Sequence, residues 1–234
     1  MPERSDGAGC DGFVAEALLK ADLFGRVERG HSSGGGEALL LVRRDTRAAR
    51  CGVRWLARLL AAREARALRV LDGLDGVPRL VSWSGGVLVR SWMAGEPMQR
   101  ARPADPAWFE AAGALLDAVH ARGVRHNDLA KEPNWLVRAD GRPALVDFQL
   151  ARCRRPGGRW AELERREDRR HLLKHKRSYC PEALTAEDRA RLAQRSWPAR
   201  WWRRSGKPVY LFVTRRLLGW ADREGAGDRG GPPA

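Results

Sequence analysis

The chain has 234 residues, with 44 Lys and Arg against 29 Asp and Glu, a formal charge of +15 and 43% hydrophobic residues. That apolar share at this length supports one ordinary core, or one core divided into two lobes, and excludes an intrinsically disordered chain. No apolar run approaches the roughly 20 residues of a membrane span, and the opening MPERSDGAGCDG lacks the apolar stretch of a secretory signal.

In chain order, 1–12 reads as a disordered tail and 13–50 as strands and turns. Gly30 to Gly36 (GHSSGGG) reads as a flexible connection, and Glu37–Arg44 (EALLLVRR) as a short apolar strand. Residues 54–71 predict a helix. Leu56, Leu60, Leu68 and Leu71 fall on one stripe, joined by Leu59 and Ala67, and Glu64 lies inside it. A carboxylate there needs a partner, because an unpaired buried charge costs several kcal/mol. Pro78–Ser84 and Gly86–Trp92 read as two strands around the Ser84-Gly85-Gly86 turn. A second helix starts at Asp105 as N-cap with Pro106 at its first position, buries Trp108, Ala112, Leu115, Leu116 and Val119, and ends at Gly123.

Residues 124–151, VRHNDLAKEPNWLVRADGRPALVDFQLA, carry the most chemistry. Asp140-Gly141 between apolar runs signals a two-residue hairpin turn. That turn sets 139 opposite 142, 138 opposite 143 and Asn134 opposite Asp147. The last is a non-hydrogen-bonded pair whose Cα atoms would be roughly 4.5 Å apart. An amide oxygen beside a carboxylate makes a hard-oxygen site suited to Mg²⁺. Asp128 lies in the loop entering the same hairpin, within reach of it.

His126-Asn127-Asp128, then Asn134, then Asp147-Phe148-Gln149 resembles the catalytic loop and metal-binding segment of the protein-kinase-like superfamily. More narrowly, HNDLAKEPNWLV with LVDFQLA is similar to small bacterial RIO-like or serine/threonine-kinase-like proteins, relatives of the lipopolysaccharide-core (Kdo/heptose) sugar kinases. The resemblance implies an α+β, two-lobed protein-kinase-like fold with a reduced helical C-lobe. The N-lobe would span 13–92 and the C-lobe 93–220, followed by a disordered tail over 221–234. It further implies an ATP-dependent kinase, with ATP and Mg²⁺ bound and a protein or glycolipid hydroxyl as acceptor. A protein serine/threonine acceptor comes first and a lipopolysaccharide-core sugar second. By the resemblance Asp128 takes the acceptor hydroxyl's proton, His126 braces the loop, and Asn134 and Asp147 hold Mg²⁺. Glu64 holds the basic residue that contacts the phosphates. Where the family has a strand lysine this chain offers Arg43 or Arg44, and the sequence does not choose between them. Asp128 and Asn134 are six apart where the family has five, and Gln149 replaces a glycine.

The positive charge is uneven. Residues 1–150 hold 22 basic and 19 acidic side chains, whereas 151–220 hold 20 and 7. In 197–220 arginines alternate with Trp197, Trp201, Trp202 and Trp220. Such a segment suits contact with an anionic membrane surface, and equally its tryptophans and leucines could pack on the C-lobe while the arginines face water. A cytoplasmic protein, peripheral at the inner membrane on the first reading, is the expectation. A noncatalytic pseudokinase, or a basic protein holding nucleic acid, is the reading of a different class. Asp168, His171 and His175 share one helix face, which reads as a packed or solvated helix rather than a metal site. Cys180-Pro181-Glu182 resembles the family's Ala-Pro-Glu tripeptide. Four scattered cysteines without a C-x-x-C pair read as reduced thiols.

Overall fold

A computed structural model describes residues 12–33, 39–154 and 158–193. The tails and the Trp/Arg-rich 197–220 segment lie outside the described residues, apart from Gly12. The compact unit that ends at Asp188 holds everything discussed below except the last residues of the final helix.

The fold is mixed α+β. Strands β1 (Phe13–Asp22), β2 (Gly25–Ser32), β3 (Leu40–Asp45), β4 (Leu80–Ser84) and β5 (Val87–Ser91) form one antiparallel sheet in the order β1-β2-β3-β5-β4. Strand β2 corrects the expected flexible connection: Gly30, His31 and Ser32 are strand residues. A Cβ on Gly30 would sit 1.9 Å from the Val14 carbonyl oxygen, so only glycine lets β1 come this close. Residues 34–38, with the rest of the glycine cluster, lie outside the described residues.

Alternation along β3 and β5 sorts side chains onto two faces. Leu41, Val87 and Val89 pack with Phe13 on one face. Arg44 stands opposite Leu88, and Val42 opposite Arg90, on the other. Helix α1 (Arg54–Val70) packs on the sheet between β3 and β4 in sequence. Its buried stripe is Ala57, Ala61, Glu64, Ala65 and Leu68. Of the stripe expected from sequence, Glu64, Ala67 and Leu68 are buried on the helix and Leu71 just past its end, Leu56 and Leu60 are half-buried, and only Leu59 turns to solvent, at 41% exposure.

Beyond the short β6 (Glu96–Pro97) and α2 (Met98–Ala101), helix α3 (Pro106–Ala121) begins where expected, with the Asp105 carboxylate accepting from Ala107 N at 2.9 Å. Gly123 (φ +78) follows its end. The Arg122 guanidinium donates to the Leu71 and Asp72 carbonyls at 2.9 and 2.8 Å, tying the end of α3 to the end of α1. Strand β7 (Val124–Arg125) pairs with β10 (Arg152–Cys153), and β8 (Trp135–Val137) with β9 (Pro143–Leu145). Helix α4 (Arg159–Tyr179) and α5 (Ala186–Ala193) complete the order. One core joins Leu68 of α1 and Leu71 just past its end to Leu116 and Val119 of α3, Trp135, Leu145, Phe148 and Leu172. Among the described residues no helix is long and apolar enough to cross a membrane.

The β8–β9 hairpin forms, but in another register. Trp135 opposes Leu145, Leu136 opposes Ala144 and Val137 opposes Pro143. Arg138 N donates to Arg142 O and Gly141 N to Arg138 O, both at 2.9 Å, with Gly141 at φ +77. This is a three-residue loop whose glycine supplies a left-handed bulge, not the two-residue turn. Asn134 accordingly meets Val146, whose N–H donates to its carbonyl at 3.0 Å, and not Asp147.

Candidate active site

Glu64 is fully buried on α1, with two arginines on it. Arg44 Nε is 3.4 Å from Oε2 and Arg90 Nε is 3.2 Å from Oε1. Both arginines come from the sheet face that α1 covers. Burial draws the Arg90 pKa below the ordinary arginine value, and Glu64 pulls it back up. Arg43 points the other way. Its guanidinium donates twice to Glu28 Oε2, at 3.0 and 2.7 Å, and lies 4.5 Å from the centre of the Phe13 ring. Of the two strand arginines, Arg44 joins the site and Arg43 does not.

Arg44 also reaches Asp147, 3.9 Å from NH2 to Oδ1. Asp147 follows the hairpin in a left-handed conformation, φ +64 and ψ +66, and is near Arg44 despite the one-residue register shift. Gln149 Nε2 donates to the same oxygen at 2.5 Å. Burial pushes the Asp147 carboxyl up, but Arg44 and the Gln149 hydrogen bond outweigh it and the net shift is downward, keeping the acid ionised.

Lys131 adds positive charge near Asp147. Lys131 Nζ is 3.0 Å from Asp128 Oδ2. Asn134 Nδ2 donates to that oxygen at 3.1 Å and to the Asp128 carbonyl at 2.9 Å, so the amide clamps the loop acid. His126 is fully buried, its Nε2 3.0 Å from the Val146 carbonyl and its ring 4.6 Å from Phe148. Glu64, Arg44 and Asp147 thus form one run of paired charges, and Lys131, Asp128 and Asn134 form a second whose lysine acts on Asp147 electrostatically. What the structure does not make is the directly opposed Asn134–Asp147 pair.

The loop is held from α4. Asp168, 1% exposed, accepts from His126 N and Asn127 N, each at 2.9 Å, and lies 3.1 Å from His120 Nε2. Asn127 is left-handed at φ +63. Two non-glycine residues in this costly region, Asn127 and Asp147, therefore flank Asp128 and Asn134, and such strain persists where the surroundings over-determine it. His175 Nε2 is 2.8 Å from the Leu129 carbonyl. Asp168 and His175 hold the loop, and among the described residues no group of three or more His, Cys, Asp or Glu is placed to hold a metal. Cys180 is buried, with its thiol donating to Glu182 Oε1 at 3.0 Å.

Arg90, Lys131 and the loop-holding role of Asp168 were missed at the level of sequence. The signal for Asp168 was present as a polar residue at the same helical face as Leu172 and His175.

No protein-family model matches this chain, and no curated protein is significantly similar to it.

Proposed function

We propose that this protein is an ATP-dependent phosphotransferase of the two-lobed protein-kinase-like kind, acting on a hydroxyl, with serine or threonine of a protein as acceptor. The observation that carries the reading is the buried Arg44–Glu64 ion pair between a sheet strand and its covering helix, with Asp147 beside it. A strand cation held by a helix glutamate, next to a metal-binding aspartate, is the arrangement phosphoryl transfer to proteins requires. Here arginine takes the lysine's place, and the second arginine, Arg90, keeps Glu64 paired when Arg44 turns to a phosphate.

The donor set fits Mg²⁺. The Asn134 amide nitrogen is spent on Asp128, which leaves its oxygen as an acceptor. The ionised Asp147 uses Oδ1 for Gln149 and Arg44, which leaves Oδ2. Those two residues would hold the ion, whose chemistry is neutralisation of the charge on the β- and γ-phosphates.

Asp128 orients the acceptor hydroxyl and accepts its proton as the oxygen attacks the γ-phosphorus and ADP departs. Asn134 fixes the carboxylate in place, and Lys131 offsets the charge that builds on the transferring group. Arg44 steadies the remaining phosphates. Catalysis of this kind is positioning and electrostatics, because the transition state is loose and highly charged.

The test is radiolabelled ATP with Mg²⁺ and fractionated cell lysate, protein and glycolipid separately, with Asp128→Ala as the blank. Label entering protein and lost in Asp128→Ala supports the proposal, and label entering only the glycolipid moves the acceptor to a lipopolysaccharide-core sugar. No transfer to the enzyme itself, to lysate protein or to lipid A-core acceptors overturns it.

A further inference from the structure

A cleft of about 260 Å³ opens beside α1, lined by Arg63, Arg66, Ala151, Arg152, Cys153 and Arg154. Arg63 and Arg66 are three apart on the helix and share a face. Arg152 and Arg154 flank Cys153 at β10, and residues two apart on a strand share a side. The acid that meets them is Glu164 of α4, 3.3 Å from Arg152 and 2.9 Å from Arg154. No carboxylate among the described residues lies within ion-pair distance of Arg63 or Arg66. Four arginines from two segments therefore line one cleft, and Glu164, the carboxylate that pairs with two of them, is not part of that lining, so a bound anion would complete the arrangement.

Guanidinium forks match the oxygens of a phosphate, which they hold bidentately. The cleft, below the roughly 300–1,000 Å³ of drug-sized sites, has room for a phosphate head group. Its phosphate does not come from the chain segments that build it: neither 54–70 nor 147–177 contains a Ser, Thr or Tyr. We propose that this cleft binds a phosphomonoester dianion from solution, which ties α1 to β10. Glu64 follows Arg63 directly on α1, so the bound anion fixes the helix that presents Glu64 to Arg44 and Arg90. Binding at this cleft stands independently of phosphate transfer at Asp128.

Isothermal titration calorimetry on the full chain tests it, with inorganic phosphate and glycerol phosphate as probes and ionic strength held constant with chloride. The expected result is saturable binding of one anion per chain, with Kd below about 1 mM. Arg66→Ala/Arg152→Ala weakens it at least tenfold, while Arg165→Ala/Arg166→Ala, an equal loss of charge outside the cleft, leaves it within twofold. Tighter binding of glycerol phosphate assigns the cleft to phosphorylated metabolites, and equal binding assigns it to free phosphate. The single reversal Arg66→Glu, checked for an unchanged melting temperature, gives the same loss without touching Glu164's partners. Absence of saturable binding, or the same weakening in both double variants, overturns the site.

Discussion

Replacing Asp168 with alanine removes the carboxylate that accepts from the His126 and Asn127 backbone N–H groups. The carboxylate is 1% exposed and meets three donors: two backbone N–H groups at 2.9 Å and the His120 ring at 3.1 Å. Each buried donor left without a partner costs about 1–3 kcal/mol, and breaking a buried charged cluster by removing one member costs about 3–5 kcal/mol in all. For a chain of this size about 1 kcal/mol moves Tm by roughly 2–4 °C, so Asp168→Ala should melt about 6–20 °C lower. Asp168→Asn keeps one acceptor oxygen but sets an amide N–H against a backbone N–H, and should fall between the two. Urea unfolding followed by circular dichroism measures both. A loss below about 1 kcal/mol for Asp168→Ala, at unchanged m-value, would refute the claim that this carboxylate supports the loop.

Arg44→Ala should weaken stabilisation by Mg·ATP at least tenfold in a thermal-shift titration, the size of a lost charged hydrogen bond of about 1.5–3 kcal/mol, whereas Arg43→Ala should change it less than twofold. Equal effects would place the wrong arginine at the site. Gly30→Ala should destabilise by about 1–3 kcal/mol in the same unfolding assay, since the added methyl meets the Val14 carbonyl at 1.9 Å and β1 must shift. Burial, helped by Lys174, pushes His171 down to about 4 from an ordinary 6.5. As pH falls below 6.5 the unfolded chain takes up this proton first, so stability should decline down to about pH 4, by up to roughly 3 kcal/mol. His171→Gln should flatten that part of a pH–stability curve, and an unchanged slope would show that the ring is hydrated.

The ends of helix α3 were legible, because Asp105, Pro106 and Gly123 are local signals, whereas its buried face also takes in Phe109 and His120 and leaves Leu115 half-buried. The hairpin was legible but its register was not: Asp-Gly serves equally as a two-residue turn or as the last two residues of a bulged three-residue loop. Pro143 is accommodated by both, since it falls in a non-hydrogen-bonded pair either way. The choice between Arg43 and Arg44 depended on which face of β3 the helix covers, and with Leu41 and Val42 both apolar the alternation is silent. Arg90 could be linked to Glu64 only once β5 was known to lie beside β3. Asp168 lies more than 40 residues from the loop it holds, so its role appears only when α4 is packed against α3 and β7. Placing Glu64 within the buried stripe with Ala67, Leu68 and Leu71 needed only the 3.6-residue period, which failed at Leu59 alone, exposed on the flank.

Strand β1 ends the sheet, with Leu18 61% and Leu19 46% exposed beyond it. Its pairing with β2 slips between Ala15 and Ala17 and again between Leu18 and Lys20. Two such dislocations in ten residues coil the rim and spoil its regular row of free amides, while Lys20 adds a charge there. The apolar border is thereby a poor template for a second copy of itself. Concentrated samples should stay free of thioflavin-positive fibres, a property that deletion of Glu16 and Leu19, the unpaired extra residues, should abolish.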